Sequence, residues 1–412
     1  MAASLLLKFR ALIARCFLFL GSAPAPALAL EDDDLLLEIL LRLPPLPSSI
    51  LRASLVCKRW RRLVSDPGFS SRFRAHHRTP PLLGFFTSYD GHGKFVPTLG
   101  RPDRIPGARF SLPTCEFFRF LGCRHGLALL DSPRRLEAVV WDPITRRQTA
   151  VAYPPEFTAA AAQNPMCHFH GTVLGGDADA HGTVSSFRLL LLRLQNIGNN
   201  TDHTNVFMCL YESGTGKWGN ISCAVVPRWY SITPYPHGML PSVLVDNTLC
   251  GFLHWPTGIL EFDLDSQSVG VIQKPESIHS CPETLFRVVH TDDRGLGLAV
   301  LEPSSIKVYG RRKANSLDDG IDEWMLQKTI QLDTMIQMPR TSSLDPTLRP
   351  TSDGDRIPTI LGFDEDNNAI HLATATGVLM IQLDSMQFTK LSDDRRDPFY
   401  YYPYTSFFTL GN

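Results

Sequence analysis

The residues of this sequence best suited to metal binding are the two histidines of the series Cys167-His168-Phe169-His170. Side chains two positions apart on a strand point to the same face, so the two imidazoles would lie side by side. A zinc site needs three or four ligands, and no third ligand follows at a recognisable spacing. We therefore interpret these histidines as ordinary surface or turn residues, and we predict no metal site and no cofactor.

Three further motifs resemble known sites only in part. The series Asp177-x-Asp179-x-His181 lacks the glycine and the distal glutamate of a calcium loop. Residues 214–217, Gly-Thr-Gly-Lys, lack the earlier glycine and the final Ser/Thr of a phosphate-binding loop. Residues 364–368 have the composition of a hairpin turn. There is no G-x-S-x-G or H-E-x-x-H motif, so the sequence predicts no catalytic residue.

Composition places the chain among ordinary globular proteins. A length of 412 residues favours two or three domains. The formal net charge of −1 argues against a general nucleic-acid binder, and nothing in the composition indicates a membrane protein. The nine cysteines are odd in number and form no C-x-x-C pair, which is typical of reduced thiols. We expect a protein of the cytoplasm, the nucleus or both.

Residues 1–30 fit that location less well. They contain basic residues but no acid, an apolar run at 16–20 and small residues at 23–27. This pattern resembles a secretory signal or an organelle transit peptide. A flexible leader or an over-extended gene model is the alternative interpretation.

Residues 31–78 predict three helices. Acids at 31–34 supply a cap and a favourable first turn, seven apolar residues follow between Leu35 and Leu43, and Pro44 ends the first helix. A second helix is predicted from about residue 47 to residue 64, and a third begins at Asp66-Pro67. The apolar residues of the first helix cover nearly its whole circumference, although one stripe suffices on a small domain. A domain with so small a core usually needs a disulfide, a bound metal or a partner protein to be stable, and we predict a partner.

The series from Leu35 to Pro44 and the series from Leu51 to Leu63 resemble the F-box motif of plant proteins. The resemblance implies docking to a Skp-type adaptor and, through it, to cullin and RING subunits of a ubiquitin ligase. Where the family usually begins with Leu-Pro, this chain has Leu30-Glu31. By position in the motif, the resemblance implies that eight residues contact the adaptor: Leu30, Leu35, Ile39, Leu40, Leu43, Leu51, Val56 and Trp60. A helical linker packed on the chain's own β domain is the alternative, and the basic cluster from Lys58 to Arg78 leaves nucleic-acid contact open.

Residues 82–412 predict a large all-β domain. Short apolar runs alternate with Gly, Asp, Asn and Pro turns, and amphipathic helices are lacking. A strand-turn-strand unit recurs at residues 138–147, 208–218, 258–266 and 378–385. Repeats of this size favour a β-propeller of roughly six to eight blades, with a large β-sandwich as the alternative. The predicted fold class is α+β multidomain: a leader at 1–30, a three-helix F-box at 31–78 and the β domain.

The combination resembles plant F-box proteins with an F-box-associated, kelch-like β domain. That resemblance implies a substrate-recognition subunit of an SCF-type ubiquitin ligase, which captures an unknown target protein with the β domain. Specificity is expected in loops at one end of the propeller, with candidates at residues 177–182, 196–205, 315–320 and 341–355. The alternatives are a propeller hydrolase or oxidase with an incidental helical leader, and an F-box scaffold that does not promote degradation.

Overall fold

The computed structural model describes most of the chain after the leader. The described residues are 32–88, 93–111, 118–163, 168–175, 186–196, 203–227, 242–252, 258–275, 278, 285–312, 323–332, 358–374, 376–392 and 400–408. The predicted leader, Leu30 and the loops 177–182, 315–320 and 341–355 lie outside them, as does most of the loop 196–205.

Four helices, and not the predicted three, form the first domain. They are α1 (Asp33–Leu41), α2 (Pro47–Ser54), α3 (Lys58–Val64) and α4 (Pro67–His77). The helix predicted over 47–64 is broken because Cys57 has an extended backbone, with φ of −161° and ψ of 171°, and precedes the first residue of α3. The buried residues Ile50, Ala53, Trp60 and Val64 keep helical spacing across the break. Periodicity alone therefore could not locate it.

The strands of the described residues form six sheets, which are the blades of a β-propeller. Blade 1 contains β3 (Arg119–Arg124), β4 (Leu127–Ser132), β5 (Glu137–Trp141) and β6 (Gln148–Ala152). Blade 2 contains β7 (His168–Gly175), β8 (Phe187–Asn196) and β9 (His203–Glu212), with its outer edge divided between β10 (Lys217–Trp218) and β11 (Ser222–Pro227). Blade 3 contains β12 (Val243–Val245), β13 (Thr248–Phe252), β14 (Ile259–Asp263) and β15 (Val269–Ile272).

The remaining blades complete the ring. Blade 4 contains β16 (Phe286–His290), β17 (Leu296–Leu301), β18 (Ser305–Arg312) and β19 (Glu323–Gln331). Blade 5 contains β20 (Thr359–Asp364), β21 (Ala369–Thr374), β22 (Gly377–Gln382) and β23 (Phe388–Ser392). Blade 6 contains β24 (Tyr400–Thr405), β1 (Leu82–Ser88) and β2 (Gly93–Pro97). The expectation of a propeller of six to eight blades is confirmed, with six.

Blade 6 closes the ring by joining distant parts of the chain. The late strand β24 pairs antiparallel with the early strand β1, which in turn pairs with β2. Contacts between β24 and β3, and between β20 and β24, place this late strand in the innermost position of its blade. All ladders between the described strands are antiparallel, and every blade except blade 6 is built from strands that follow one another in the sequence.

The hydrophobic cores lie between neighbouring blades. One cluster joins blades 1 and 6 around Phe86 and Phe120, and another joins blades 1 and 2 around Leu129 and Leu189. A helix between these two blades, α5 (Pro155–Gln163), buries Phe157 in the second cluster. Among the described residues, no helix combines the length and the apolar character needed to cross a membrane.

One buried side chain in blade 5 is unpaired. The ring of His371 on β21 is fully buried and lies 4.9 Å from the ring of Tyr401 on β24. Neither ring nitrogen has a hydrogen-bond partner among the residues that the structure describes. Burial lowers the pKa of His371 from 6.5 to about 3, because the imidazolium would lose its hydration. As the pH drops, the imidazole of the unfolded chain therefore binds a proton before that of the folded chain does. The unfolding free energy falls as the pH drops below about 6.5 toward 3.

The variant His371→Phe is expected to be more stable than the natural chain. It removes two unsatisfied buried nitrogens at similar shape, which we expect to raise the unfolding free energy by about 1–3 kcal/mol. The gain should be larger at about pH 5 than at about pH 7.5, because phenylalanine cannot bind the proton that stabilises the unfolded state of the natural chain. Urea titrations at both pH values measure it, with His203→Phe at an exposed position of β9 as the control. A gain independent of pH would contradict the assigned neutral state of His371.

Candidate functional site

The four helices of the first domain begin and pack as the sequence dictates. The Asp32 carboxylate caps α1 by accepting hydrogen bonds from the backbone N–H groups of Asp34 and Leu35, at 2.8 and 3.1 Å. Asp66 caps α4 in the same way, accepting from Gly68 N at 2.8 Å. The core between the helices consists of Leu36, Leu40, Leu41, Leu43, Ile50, Ala53, Trp60, Val64, Phe69 and Phe73.

Three of the eight predicted adaptor contacts belong to this core. The side chains of Leu40, Leu43 and Trp60 are buried among the helices, so they hold the domain together. Ile39 and Val56 are half-buried, and Leu30 lies outside the described residues. No adaptor is present in the structure, so a contact by any of the eight residues stays a prediction.

The remaining predicted contacts are exposed leucines. Leu35 on α1 is 46% exposed and Leu51 on α2 is 42% exposed. Leu55, at the C-terminal end of α2, is 72% exposed, and sequence reasoning missed it. Its position one helical turn after Leu51 is the signal that could have identified it, because residues four apart share a helix face. Of the surplus of apolar residues noted for the first helix, Leu35 is thus exposed to solvent.

Ion pairs tie the helices of the first domain together. Asp33 on α1 contacts Arg59 at 2.6 Å and Arg62 at 2.9 Å, both on α3. The hydrogen bond from Arg59 is the main cause that lowers the pKa of Asp33 below its ordinary value. Glu38 on α1 contacts Arg42 at 2.8 Å and Arg72 of α4 at 3.3 Å. These arginines thus form part of the intramolecular packing of the helices.

The helical domain is fixed to blade 6 of the propeller. Phe407, which follows β24, packs against the helical core, and its ring lies 6.2 Å from that of Phe73 in an edge-to-face arrangement. The N–H of Ser48 on α2 donates to Asp103, which follows β2, at 2.9 Å. An aromatic contact and a hydrogen bond therefore set the position of the four helices against the ring.

A second candidate site lies on the propeller axis, where charged side chains from several blades meet. Arg124, at the end of β3, pairs with Glu365, in the turn after β20, at 2.9 Å. Its Nη2 also donates to the carbonyl oxygen of Ser242, next to β12. Glu365 accepts a hydrogen bond from Leu244 N at 2.8 Å and lies 3.6 Å from His290 Nε2. This network joins blades 1, 3, 4 and 5 across the axis.

Two carboxyl groups adjoin the network. Asp364 is buried, and this burial raises its pKa to about 7, with the nearby Asp366 adding to the effect. Asp364 accepts hydrogen bonds from the backbone N–H and the side-chain amide of Asn367, at 3.2 and 2.7 Å. Asp366 accepts from the Thr405 hydroxyl. The predicted hairpin turn at 364–368 is confirmed, but its acids also carry the axial contacts, which sequence reasoning missed.

Two cavities flank Arg124. One of ≈ 80 Å³ lies between blades 1, 2 and 3, and one of ≈ 50 Å³ lies toward blades 5 and 6. Both are lined by Cys123, Arg124, Ser242 and Tyr402. The larger cavity is mainly apolar, whereas the smaller one adds Asp364, Glu365 and Asp366.

The motifs considered for chemistry do not assemble into a site among the described residues. His170 is buried on the strand β7, so its interpretation as a surface or turn residue is wrong. Cys167 and the series at 177–181 lie outside the described part of the chain. Residues 214–216 form a turn that leads into β10, as predicted for a hairpin. Within the described ranges, no three His, Cys, Asp or Glu residues are grouped so as to hold a metal ion.

Two parts of the chain match known protein families. Residues 33–74 match the F-box-like family, whose domain in general docks a Skp-type adaptor. Residues 119–405 match the family described as F-box protein AT5G49610-like, beta-propeller. A curated relative is the F-box/kelch-repeat protein At3g61590 of Arabidopsis thaliana, which is 26% identical over 239 residues. That alignment covers 56% of this chain and 53% of the relative, so the match spans about half of each protein.

Solved structures with a related arrangement are distant. A Bacteroides thetaiotaomicron protein of unknown function has a TM-score of 0.35 at 12% identity, covering 68% of this chain and 59% of its own. Apo AztD from Citrobacter koseri has a TM-score of 0.28 at 13% identity, covering 70% and 74%. A luciferin-regenerating enzyme has a TM-score of 0.32 at 11% identity, covering 77% and 89%. No functional argument rests on similarities of this size.

Proposed function

Since the chain belongs to the plant family of F-box protein AT5G49610-like beta-propellers, we propose that it is the substrate-recognition subunit of an SCF-type ubiquitin ligase. In this role the F-box helices dock a Skp-type adaptor, and the adaptor connects the chain to cullin and RING subunits. The propeller holds the target protein. The chain itself performs no bond chemistry.

The observation that carries the proposal is the exposure of three leucines, one on α1, one on α2 and one directly after α2. Leu35, Leu51 and Leu55 expose 46%, 42% and 72% of their surface on a domain whose other large apolar side chains are mostly buried. Fully burying an exposed leucine is worth about 1.5–3 kcal/mol. Because these three side chains are already partly buried, each can contribute roughly 0.6–2 kcal/mol to an interface. They lie within the stretch of residues that matches the F-box-like family.

The mechanism is proximity. The adaptor fixes the F-box, and the F-box is fixed to blade 6 through Phe407 and Asp103. A target bound to the propeller is therefore held at a defined distance from the charged ubiquitin-conjugating enzyme, which raises the effective concentration of its lysines. We place this activity in the cytoplasm, the nucleus or both, in keeping with the reduced thiols that the odd cysteine count and the lack of a C-x-x-C pair predict.

Co-purification tests the proposal. The full chain, expressed together with a Skp-type adaptor, is expected to form a stoichiometric complex that survives gel filtration. A well-folded chain that elutes without the adaptor would contradict the proposal.

Accumulation of captured target proteins after depletion of the chain distinguishes a degradative subunit from a scaffold. If the chain is a scaffold, target levels would not change. The alternative of a propeller hydrolase or oxidase predicts turnover of a small substrate by the purified chain alone.

A further inference from the structure

The turn between β5 and β6 places two arginines shortly before an exposed threonine. Residues 146–149 are Arg-Arg-Gln-Thr, and Thr149 is the second residue of β6. Each of these four residues, and Ala150 after them, is exposed at the outermost strand of blade 1. The side chains of Arg146, Arg147 and Thr149 are therefore accessible to a second protein.

Neither arginine is neutralised by the chain itself. Arg146 and Arg147 form no ion pair with any residue that the structure describes. The carboxylate of the same turn, that of Asp142, instead accepts hydrogen bonds from the N–H groups of Ile144 and Thr145, at 2.9 and 3.2 Å. Two neighbouring unpaired guanidinium groups attract acidic side chains, and each can hold a carboxylate through two parallel hydrogen bonds.

The backbone of β6 is open along one edge. Its inner edge pairs with β5, where Thr149 lies opposite Val140, and no described strand pairs with its outer edge. A hydrogen bond from Trp218 Nε1 of blade 2 reaches β6 only at the carbonyl oxygen of Ala152. A protein that binds extended peptides can therefore approach residues 146–149 along this edge, because an edge strand already has the extended conformation that such proteins bind.

A second arginine of the described residues lies three positions before an exposed serine, in the series Arg62-Leu63-Val64-Ser65, but it lacks these properties. Arg62 pairs with Asp33 at 2.9 Å and lies on α3. Three residues of a helix span about 4.5 Å, against about 10 Å on a strand, so this series does not have the spacing of an extended peptide. The two series share a sequence pattern and differ in whether the structure leaves it accessible.

We propose that Thr149 is a phosphorylation site of the folded chain, for a protein kinase whose substrate cleft binds Arg146 and Arg147 with acidic side chains. Charge patterns of this kind help to determine which substrates a kinase selects. In the transfer, Thr149 Oγ1 forms a bond to the γ-phosphorus of ATP, the bond from that phosphorus to the oxygen of the β-phosphate breaks, and ADP leaves. The hydroxyl proton passes to the catalytic aspartate of the kinase, and nothing is oxidised or reduced.

The phosphate would change the charge of this edge. It adds about two negative charges next to two arginines, so the edge loses its positive character. The site is separate from the F-box helices, and the proposal holds whether or not an adaptor docks.

The catalytic subunit of cAMP-dependent protein kinase, which selects substrates with arginines before the acceptor, is the probe for this site. With ATP and the full folded chain, it is expected to place phosphate on Thr149 and none on Ser65, as located by mass spectrometry of the digested chain. Thr149→Ala should lose the phosphate of this peptide, and Thr149→Ser should keep it.

Two double variants test the role of the arginines. Arg146→Gln/Arg147→Gln is expected to slow phosphorylation of Thr149 at least about tenfold, because the charge-assisted hydrogen bonds to the cleft are lost. Arg134→Gln/Arg135→Gln is the matched control, since these exposed arginines lie in the turn between β4 and β5, at the other end of blade 1. It lowers the net charge equally and should leave the rate unchanged.

Three outcomes would overturn the proposal. Phosphate that reaches Thr149 in a synthetic peptide of residues 142–154 but not in the folded chain would mean that β6 is closed to a kinase. An equal loss of rate in both double variants would exclude a specific role for Arg146 and Arg147. Phosphorylation of Ser65 as fast as that of Thr149 would mean that the exposed edge of blade 1 does not determine the site.

Discussion

The double variant Leu51→Asp/Leu55→Asp is expected to lose affinity for a Skp-type adaptor by at least about a hundredfold. Leu51 on α2 and Leu55 directly after it are exposed, and each contributes roughly 0.6–2 kcal/mol if its exposed part is buried in the interface. The aspartates would also need to be desolvated there. Because neither side chain belongs to the buried core of the domain, the unfolding free energy should change by less than about 1 kcal/mol. Isothermal titration with purified adaptor measures the effect.

A matched variant tests whether the loss of adaptor affinity comes from the two leucines or from added surface charge in general. Val225 on β11 is 58% exposed, and Val225→Asp should leave adaptor affinity unchanged. Substitutions of Leu40 or Trp60 do not serve this purpose, because both side chains are buried and their loss would unfold the helices. Retained affinity in the folded Leu51/Leu55 double variant would place the adaptor on another surface.

Replacing Glu365 by alanine is expected to destabilise the propeller by about 3–5 kcal/mol. The change leaves the buried Arg124 guanidinium without its carboxylate, and removing one partner of a buried ion pair has a cost of this size. It also removes the acceptor of Leu244 N. Urea unfolding followed by intrinsic fluorescence measures the loss.

Two comparisons test the cause of that loss. Glu302→Ala removes a partly exposed ion pair with Lys307, and should lower the unfolding free energy by less than about 1 kcal/mol. The double variant Arg124→Met/Glu365→Leu leaves no charge unpaired and should be more stable than Glu365→Ala. A similar small loss in Glu365→Ala and Glu302→Ala would mean that the axial network contributes little to the fold.

Local patterns predicted the elements of this fold well. The cap at Asp66-Pro67 and the acids ahead of Leu35 mark helix starts that the structure confirms. The repeated strand-turn-strand units at 138–147, 258–266 and 378–385 correspond to the third strand of a blade and the turn after it. Such features depend on residues that are close in sequence, so the hydrophobic periodicity and the turn residues predict them directly.

Contacts between distant residues were not predictable in this way. Arg124 ends β3 of blade 1 and Glu365 lies in a turn of blade 5, and nothing in either segment specifies the other. Nor did the apolar pattern of α1 separate the buried Leu40 from the exposed Leu35, because both are leucines and their orientations depend on the other three helices. The closing pair of β24 with β1 likewise lacks a local signal.

That closing pair sets an order of events during synthesis. Blades 1 to 5 can form as the ribosome releases each hairpin, but β1 must wait without its inner neighbour until residue 405 has emerged. The same late segment brings Phe407 onto the helical core. A nascent chain that stops short of these residues would expose both an open strand edge and an uncovered aromatic cluster, two features that chaperones and proteases recognise. Completion of the ring and firm seating of the helices thus depend on the synthesis of residues 400–407.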